Sequence, residues 1–164
     1  IPGSLVGSEM CIRDRLKPES ITVEWRDRIR ELFLAETSEV YSDSSLLSLN
    51  IPEWDGNLML IDRSSYPDAS SLKGLLWSKP FKEDSTRVVA FVIEKGFQSN
   101  GHGGRAWSYM QKKMRELGKK FVQLEVKCSN IKAQEFYRAR GMEIVSRIDM
   151  YYKYEHGYMM RGRL

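Results

Sequence analysis

The feature that most restricts the fold of this chain is an apolar run that leads into a glycine-rich loop and then into a helical pattern. Residues 88–93 read VVAFVI, a continuous stretch rich in β-branched residues that is typical of a strand buried within a sheet. Beyond the loop, apolar residues recur at helical spacing from Ala106 to Leu117, and Gly118 ends the pattern. This order of elements predicts a mixed α and β domain built around the buried strand.

The sequence on either side predicts further helices and strands. Ser20 is a suitable N-cap, and Trp25, Ile29 and Phe33 follow at helical spacing, so a helix is expected from about residue 21 into the late thirties. Strands are expected at residues 58–62, 72–78 and 121–126, the second of them stopped by Pro80. A short helix is expected between Asn130 and Gly141. The chain is then expected to close with a strand pair at 142–154 and 158–163 that turns at His156 and Gly157. No repeat or linker interrupts the chain, so residues 16–164 are expected to form one domain.

The first fifteen residues are expected to be foreign to the protein. Residues 5–15 read LVGSEMCIRDR, which resembles the conceptual translation of a sequencing adaptor. Such a segment is set aside in reasoning about the fold. On this interpretation the natural N-terminus is lost, and the first strand of the fold is missing or replaced.

The glycine-rich loop has the composition of an anion-binding site. Glycines let several backbone N–H groups turn toward one point, and the helix that follows offers its positive N-terminal end, so a pyrophosphate would fit. The candidate residues are Gln98, Ser99, Asn100, Gly101, His102, Gly103 and Gly104.

Two other interpretations of this loop remain open. Gly101, Gly103 and Ala106 also match the dinucleotide-binding fingerprint, with Glu125 about twenty residues further on. Against that interpretation, residues 94–100 separate the strand from the first glycine, whereas the dinucleotide turn is tight. The loop could also be rich in glycine without binding a ligand.

Composition narrows the class of partner. The net charge of +4 suits a polyphosphate cofactor as well as nucleic acid, but the chain has no run of five basic residues, so nucleic acid is not expected. Cys11 and Cys128 make neither a disulfide framework nor a metal site. The longest apolar run is too short to cross a bilayer and no export signal is evident, so the protein is expected in the cytoplasm and off the membrane.

The chain carries two motifs in order. In the first, Gln98, Gly101 and Gly103 stand between a strand and a helix; in the second, Asn130, Ala133, Phe136 and Tyr137 precede Gly141. Together they resemble the motifs of the GNAT superfamily of acetyltransferases. Three stretches are most similar to ribosomal-protein alanine N-acetyltransferases and related N-terminal acetyltransferases: residues 124–126 (LEV), 151–152 (YY) and 158–160 (YMM). The resemblance covers residue 88 to the C-terminus. It implies an α+β acyl-CoA N-acyltransferase fold, with a central mixed, mostly antiparallel sheet flanked by helices.

The resemblance also implies roles for individual residues. Phe91, Val92 and Ile93 would line the pantetheine arm and acetyl group of acetyl-CoA, with backbone N–H groups facing the thioester carbonyl, and the loop from Gln98 to Gly104 would hold the pyrophosphate. Asn130 and Tyr137 would also contact the cofactor, Tyr137 as the general acid and Glu125 as the general base. Each of these roles has a structural alternative. Residues 91–93 could simply be part of a core strand, Asn130 an N-cap, Tyr137 a packing residue and Glu125 a member of an ion pair.

The implied activity is transfer of acetyl from acetyl-CoA to a primary amine, without a metal. A protein or peptide N-terminus is the expected acceptor, because one of the strand tyrosines Tyr151 and Tyr152 must face outward, where it could bind the first peptide bond. A small-molecule amine acceptor and a non-catalytic CoA-binding module are the alternatives; retention of Tyr137 favours an enzyme. The protein is expected to be a monomer or a homodimer.

Overall fold

The computed structural model describes residues 8–12, 22–42, 44 and 57–164. Chain contacts divide these residues into two compact units. The first unit takes its described residues from Ile1–Ser78 and Val89–Lys113, and the second comprises Lys79–Val88 and Met114–Leu164.

The described chain contains both helices and strands. In order they are β1 (Ser8–Ile12), α1 (Val23–Thr37), β2 (Leu58–Asp62), β3 (Leu72–Phe81), β4 (Ser85–Ile93), α2 (His102–Glu116), β5 (Phe121–Lys127), α3 (Ile131–Arg138), β6 (Glu143–Tyr152) and β7 (Glu155–Arg163). Short 3-10 turns lie at Ala69–Ser71 and Lys95–Phe97. None of the helices in these described ranges is both long and apolar enough to span a membrane.

In the first unit the strands follow the order β1, β2, β3, β4. β1 pairs antiparallel with β2, from Ser8 opposite Asp62 to Ile12 opposite Leu58, and β2 pairs antiparallel with β3. The apolar positions of α1, spaced at i, i+3 and i+4, are buried in one cluster with residues of β2, β3 and β4. Burial of this stripe explains why the helix forms although its start at Thr22 has no side-chain cap. The predicted cap Ser20 lies outside the described residues.

In the second unit β5 lies between β4 and β7, and β6 is the outer strand. β5 pairs parallel with β4 over three residues, Ser85–Arg87 opposite Phe121–Gln123, and antiparallel with β7 along its whole length. Val122, Leu124 and Val126 are buried, as expected for alternate positions of a half-covered strand. The described pairings are thus mixed and mostly antiparallel, and the predicted α+β fold is confirmed.

β4 begins at Ser85, three residues before the predicted start at Val88, and two further predicted boundaries were wrong at residues that usually interrupt structure. β3 does not stop at Pro80 but continues to Phe81, because an exposed proline near a strand end loses only a donor and keeps an extended φ. The final turn lies at Lys153 and Tyr154, so His156 and Gly157 belong to β7. Gly157 serves packing: a Cβ there would lie 3.1 Å from Cε2 of Tyr152.

The first strand position is occupied by β1, whose residues lie inside the segment predicted to be foreign. Its five residues pair with the full length of β2. Whether residues 1–15 are native stays a prediction, as does the single domain at residues 16–164.

Candidate active site

The glycine-rich loop ends in the open N-terminus of α2. Ser99 and Gly101 have positive φ values of 64° and 78°, which turn the backbone into the helix. The first helical hydrogen bond runs from the Arg105 N–H to the Gly101 carbonyl at 3.0 Å. The backbone N–H groups of residues 102–104 precede it and have no acceptor within the helix. Gly103 and Gly104, predicted from the sequence as loop residues, therefore belong to the first helical turn, and the helix begins earlier than predicted, at His102.

Arg105 adds a positive charge to this helix N-terminus. Its Nη2 lies 2.8 Å from Nδ1 of His102, and a Cβ built on Gly101 would lie 2.8 Å from its Nη1. Burial and then the charge of Arg105 lower the pKa of His102, so the neutral imidazole accepts the guanidinium hydrogen. Arg105 was missed from sequence because it occupies a variable position of the motif. The guanidinium lies beside three backbone N–H groups, and Gly101 has no Cβ that would crowd it. This arrangement fits a diphosphate.

Gln98 ties the start of the loop to the rest of the first unit. Its Nε2 donates to the Ile93 carbonyl at 2.7 Å and to Glu36 Oε2 at 3.4 Å. Oε1 of Glu36 accepts from the Lys95 backbone N–H at 3.1 Å. The side chain of Gln98, predicted to contact the cofactor, thus has partners within the protein. Glu36, in the last turn of α1, was not found from sequence because no local pattern links it to a loop about sixty residues away.

Side chains at the end of β4 pack on both faces of the strand. Val92 is buried, and the ring of Phe91 stacks on Trp107 at 6.3 Å between centroids. Gly74 of β3 approaches so closely that a Cβ there would lie 2.7 Å from the Val92 carbonyl oxygen. Because the ladder with β5 ends at Arg87, residues 88–93 have backbone N–H and C=O groups that this ladder does not use.

In the second unit, an arginine joins two predicted site residues. Nε of Arg87 donates to Glu125 Oε2 at 3.2 Å, and Nη2 lies 3.2 Å from Glu125 Oε1. The same Nη2 donates to the Tyr151 hydroxyl at 3.2 Å. The side chain of Glu125 is 11% exposed and that of Arg87 is 29% exposed. The ion pair considered for Glu125 is therefore present, and the cluster of Arg87, Glu125 and Tyr151 gathers a carboxylate, a cation and a phenol.

The short helix α3 carries the second motif. Oδ1 of Asn130 accepts from the Ala133 N–H at 3.1 Å, so Asn130 is the N-cap, and its side-chain NH₂ is the group suited to a cofactor. Tyr137 is 7% exposed and packs edge-on against Phe136 at 5.5 Å. Buried Gln134, missed from sequence, donates to the carbonyls of Lys127 and Cys128 at 3.0 Å each. These bonds fix α3 to the end of β5.

Tyr151 and Tyr152 stand at an irregular part of β6. The ladder with β7 shifts register between Ile148 and Tyr152, and Met150 has a positive φ of 48°. The two rings meet edge-to-face at 5.1 Å. Tyr151 is 45% exposed, which identifies it as the outward-facing member of the pair.

Residues 26–142 match the model of the acetyltransferase (GNAT) family. This chain is a GNAT acetyltransferase. The matched region includes the loop, β4, Glu125, Asn130 and Tyr137. The GNAT enzyme is an acetyl-CoA-dependent N-acetyltransferase. The resemblance inferred from the sequence motifs is confirmed.

Solved structures agree on the fold of this acetyltransferase. Ard1 from Thermoplasma volcanium is similar with a TM-score of 0.76 at 20% identity, covering 97% of this chain and 99% of its own. The ribosomal-protein-S18-alanine N-acetyltransferase from Escherichia coli gives 0.68 at 13% identity, covering 95% and 93%. Naa50 from Arabidopsis thaliana, in complex with a bisubstrate analogue, gives 0.68 at 12% identity, covering 97% and 100%. A comparison with curated proteins finds no match.

Proposed function

We propose that this acetyltransferase modifies the N-terminal α-amino group of a polypeptide. The observation that carries the proposal is the cluster of Arg87, Glu125 and Tyr151. It presents an exposed phenol beside a largely covered carboxylate. A phenol can hydrogen-bond the first peptide group, while a carboxylate attracts the terminal ammonium. Two of the similar structures, the ribosomal-protein-S18-alanine N-acetyltransferase and Naa50 in complex with the bisubstrate analogue CoA-Ac-MVNAL, support the same acceptor class.

The residues suited to hold acetyl-CoA are those of the loop and of β4. The N–H groups of residues 102–104 and the guanidinium of Arg105 would bind the pyrophosphate, while Gln98, Ser99, Asn100 and Gly101 shape the turn. Backbone groups of Phe91, Val92 and Ile93 would bind the pantetheine arm, and the side-chain NH₂ of Asn130 would contribute a further donor. Acetyl-CoA supplies the acetyl group as a reactive thioester.

Glu125 and Tyr137 are the proposed proton-transfer residues. A peptide α-amino group has a pKa of about 8, so much of it is protonated at neutral pH and cannot attack a carbonyl. Glu125 would accept a proton from the ammonium, directly or through one water, which frees the nitrogen lone pair to attack; the second proton, which nitrogen loses once the C–N bond has formed, would pass to water. Tyr137 would donate its hydroxyl proton to the sulfur as the C–S bond breaks. We also propose that the protein acts in the cytoplasm.

An acceptor panel tests this proposal. The purified protein is incubated with acetyl-CoA and short peptides bearing free N-termini, with the same peptides blocked at the N-terminus as matched controls. A polyamine and an aminoglycoside represent small amines. We expect CoA release and a 42 Da mass increase, the mass of one added acetyl group, only on free N-termini. Turnover of the small amines without any peptide product, or no turnover of any peptide, would reject the acceptor assignment.

A further inference from the structure

Arg87 is the group through which Glu125 and Tyr151 are connected. No motif in the sequence includes Arg87, yet its side chain contacts the proposed base on β5 and the proposed acceptor-binding tyrosine on β6. The Nε–Nη2 edge of its guanidinium contacts both oxygens of Glu125, and the second Nη2 hydrogen points to Tyr151. A planar fork can make these contacts together, whereas a lysine ammonium is a single point charge.

Arg87 is itself held in place by its surroundings. Its strand neighbours lie in the three-residue parallel ladder with β5, and its Cζ lies 6.0 Å from the ring centroid of Phe81. Its side chain is mostly covered, so the guanidinium has few other positions to occupy. A surface ion pair between mobile side chains contributes little. A partly buried two-point contact fixes the direction of the carboxylate and has a geometric role.

The contact with Tyr151 has a chemical consequence. A guanidinium can only donate hydrogen bonds, so the Tyr151 oxygen accepts and its own hydrogen is directed elsewhere. A hydroxyl that accepts from a cation becomes a stronger donor, because hydrogen bonds in a chain polarise one another. Tyr151 is thereby prepared to donate to a carbonyl oxygen, such as that of the first peptide bond.

We propose that Arg87 is a positioning residue that aims Glu125 at the acceptor amine and Tyr151 at the acceptor carbonyl. This inference rests on the proposed function and adds to it the residue that couples proton removal to acceptor recognition. Arg87 acts through its two partners and does not touch the reacting atoms. Loss of Arg87 therefore affects the use of the acceptor and leaves acetyl-CoA binding unchanged.

Steady-state kinetics of the full chain with a peptide acceptor tests the proposal. Arg87→Met keeps much of the side-chain length and removes the charge. We expect kcat/KM for the peptide to fall roughly 10- to 100-fold, the effect of a misplaced catalytic group. We expect calorimetry to give an unchanged Kd for acetyl-CoA. Arg87→Lys should recover part of the loss. Arg163→Met is the matched control, because Arg163 also lies over a phenylalanine ring and should be replaced without effect.

Double variants separate positioning from a structural role. In a Glu125→Ala or Tyr151→Phe background, Arg87→Met should cost much less than it does in the parent, because one partner through which it acts is already missing. The inference is wrong if Arg87→Met lowers kcat/KM by the same factor in both backgrounds as in the parent. It is also wrong if Arg87→Met alone has parental kinetics. If Glu125→Ala is slow while Arg87→Met is parental, only this inference fails. If Glu125→Ala is itself parental, the proposed base fails with it.

Discussion

At the scale of single residues, the burial of Tyr137 decides how its role can be tested. The ring is packed in α3 and edge-on to Phe136, so removing the whole side chain would disturb the fold. Removing only the hydroxyl preserves the ring and its packing. This separates a proton donor from a core tyrosine, the two interpretations that the sequence leaves open.

Tyr137→Phe should therefore lower kcat and leave the rest of the protein intact. We expect a fall of roughly 100-fold, within the range for loss of a general acid. The Kd for acetyl-CoA and the melting temperature should stay close to those of the parent. Stopped-flow detection of released CoA measures the rate, and calorimetry measures the affinity. Parental turnover of Tyr137→Phe would mean that water or another group protonates the sulfur.

The predicted residues and the missed residues differ in how they are encoded. Gln98, Asn130 and Tyr137 belong to motifs with fixed local spacing, so a single sequence identifies them. Arg87 owes its position to strand register, which brings it to Glu125, 38 residues away in the sequence, whereas Arg105 and Gln134 contact groups 3 and 7 residues away. An arginine within a strand is ordinary surface composition until its partner across the sheet is known.

At the scale of elements, the last turn of α1 fixes the start of the glycine-rich loop. Glu36 accepts from the backbone of Lys95 and from the side chain of Gln98. Gln98 in turn bonds the end of β4 through the Ile93 carbonyl. A side chain from one helix thereby fixes a loop whose backbone must be correctly placed to bind a diphosphate.

Glu36→Ala should weaken acetyl-CoA binding without affecting the chemical step. We expect the Kd to rise about 10-fold, the equivalent of roughly 1.4 kcal/mol, because the cofactor must then order the loop on binding. The kcat at saturating acetyl-CoA should be unchanged. Glu31→Ala is the matched control on the same helix, since Glu31 is 69% exposed and pairs only one turn away with Arg28 at 3.5 Å. An equal change in both variants would show that the effect comes from helix charge.

Element positions were predictable wherever hydrophobic periodicity is strong. α1, β2 and β5 lie within a residue or two of the expected bounds, because burial of one face produces the period that the sequence shows. Pro80 and Gly157 misled the prediction, since both are usually turn residues. Their strand positions follow from tertiary context: an exposed strand end for one, and two tyrosine rings packed against the backbone for the other.

At the scale of the whole molecule, ligand binding and stability are linked. A ligand that binds only the folded protein stabilises it by RT ln(1 + [L]/Kd), about 2.7 kcal/mol at one hundred times Kd. For a chain of this size, each kcal/mol shifts the melting temperature by about 2–4 °C. The measurement needs no knowledge of the acceptor, so it tests the cofactor assignment by itself.

Acetyl-CoA at one hundred times its Kd should raise the melting temperature by roughly 5–11 °C in a thermal-shift assay. NADH at the same concentration should give no shift, since the glycine loop starts too far from its strand for the dinucleotide turn.

Gly103→Val provides the matched loss of function. Gly103 lies in the first turn of α2, where a valine fits a helical backbone but crowds the N–H groups of residues 102–104. Gly101→Val would be a poorer choice, because Gly101 has a φ of 78° and a Cβ there would strike Arg105, so the backbone itself would be strained. The Gly103→Val variant should melt near the parental temperature and should not respond to acetyl-CoA. A full shift in that variant would place the pyrophosphate elsewhere, and a saturable shift with NADH would restore the dinucleotide interpretation.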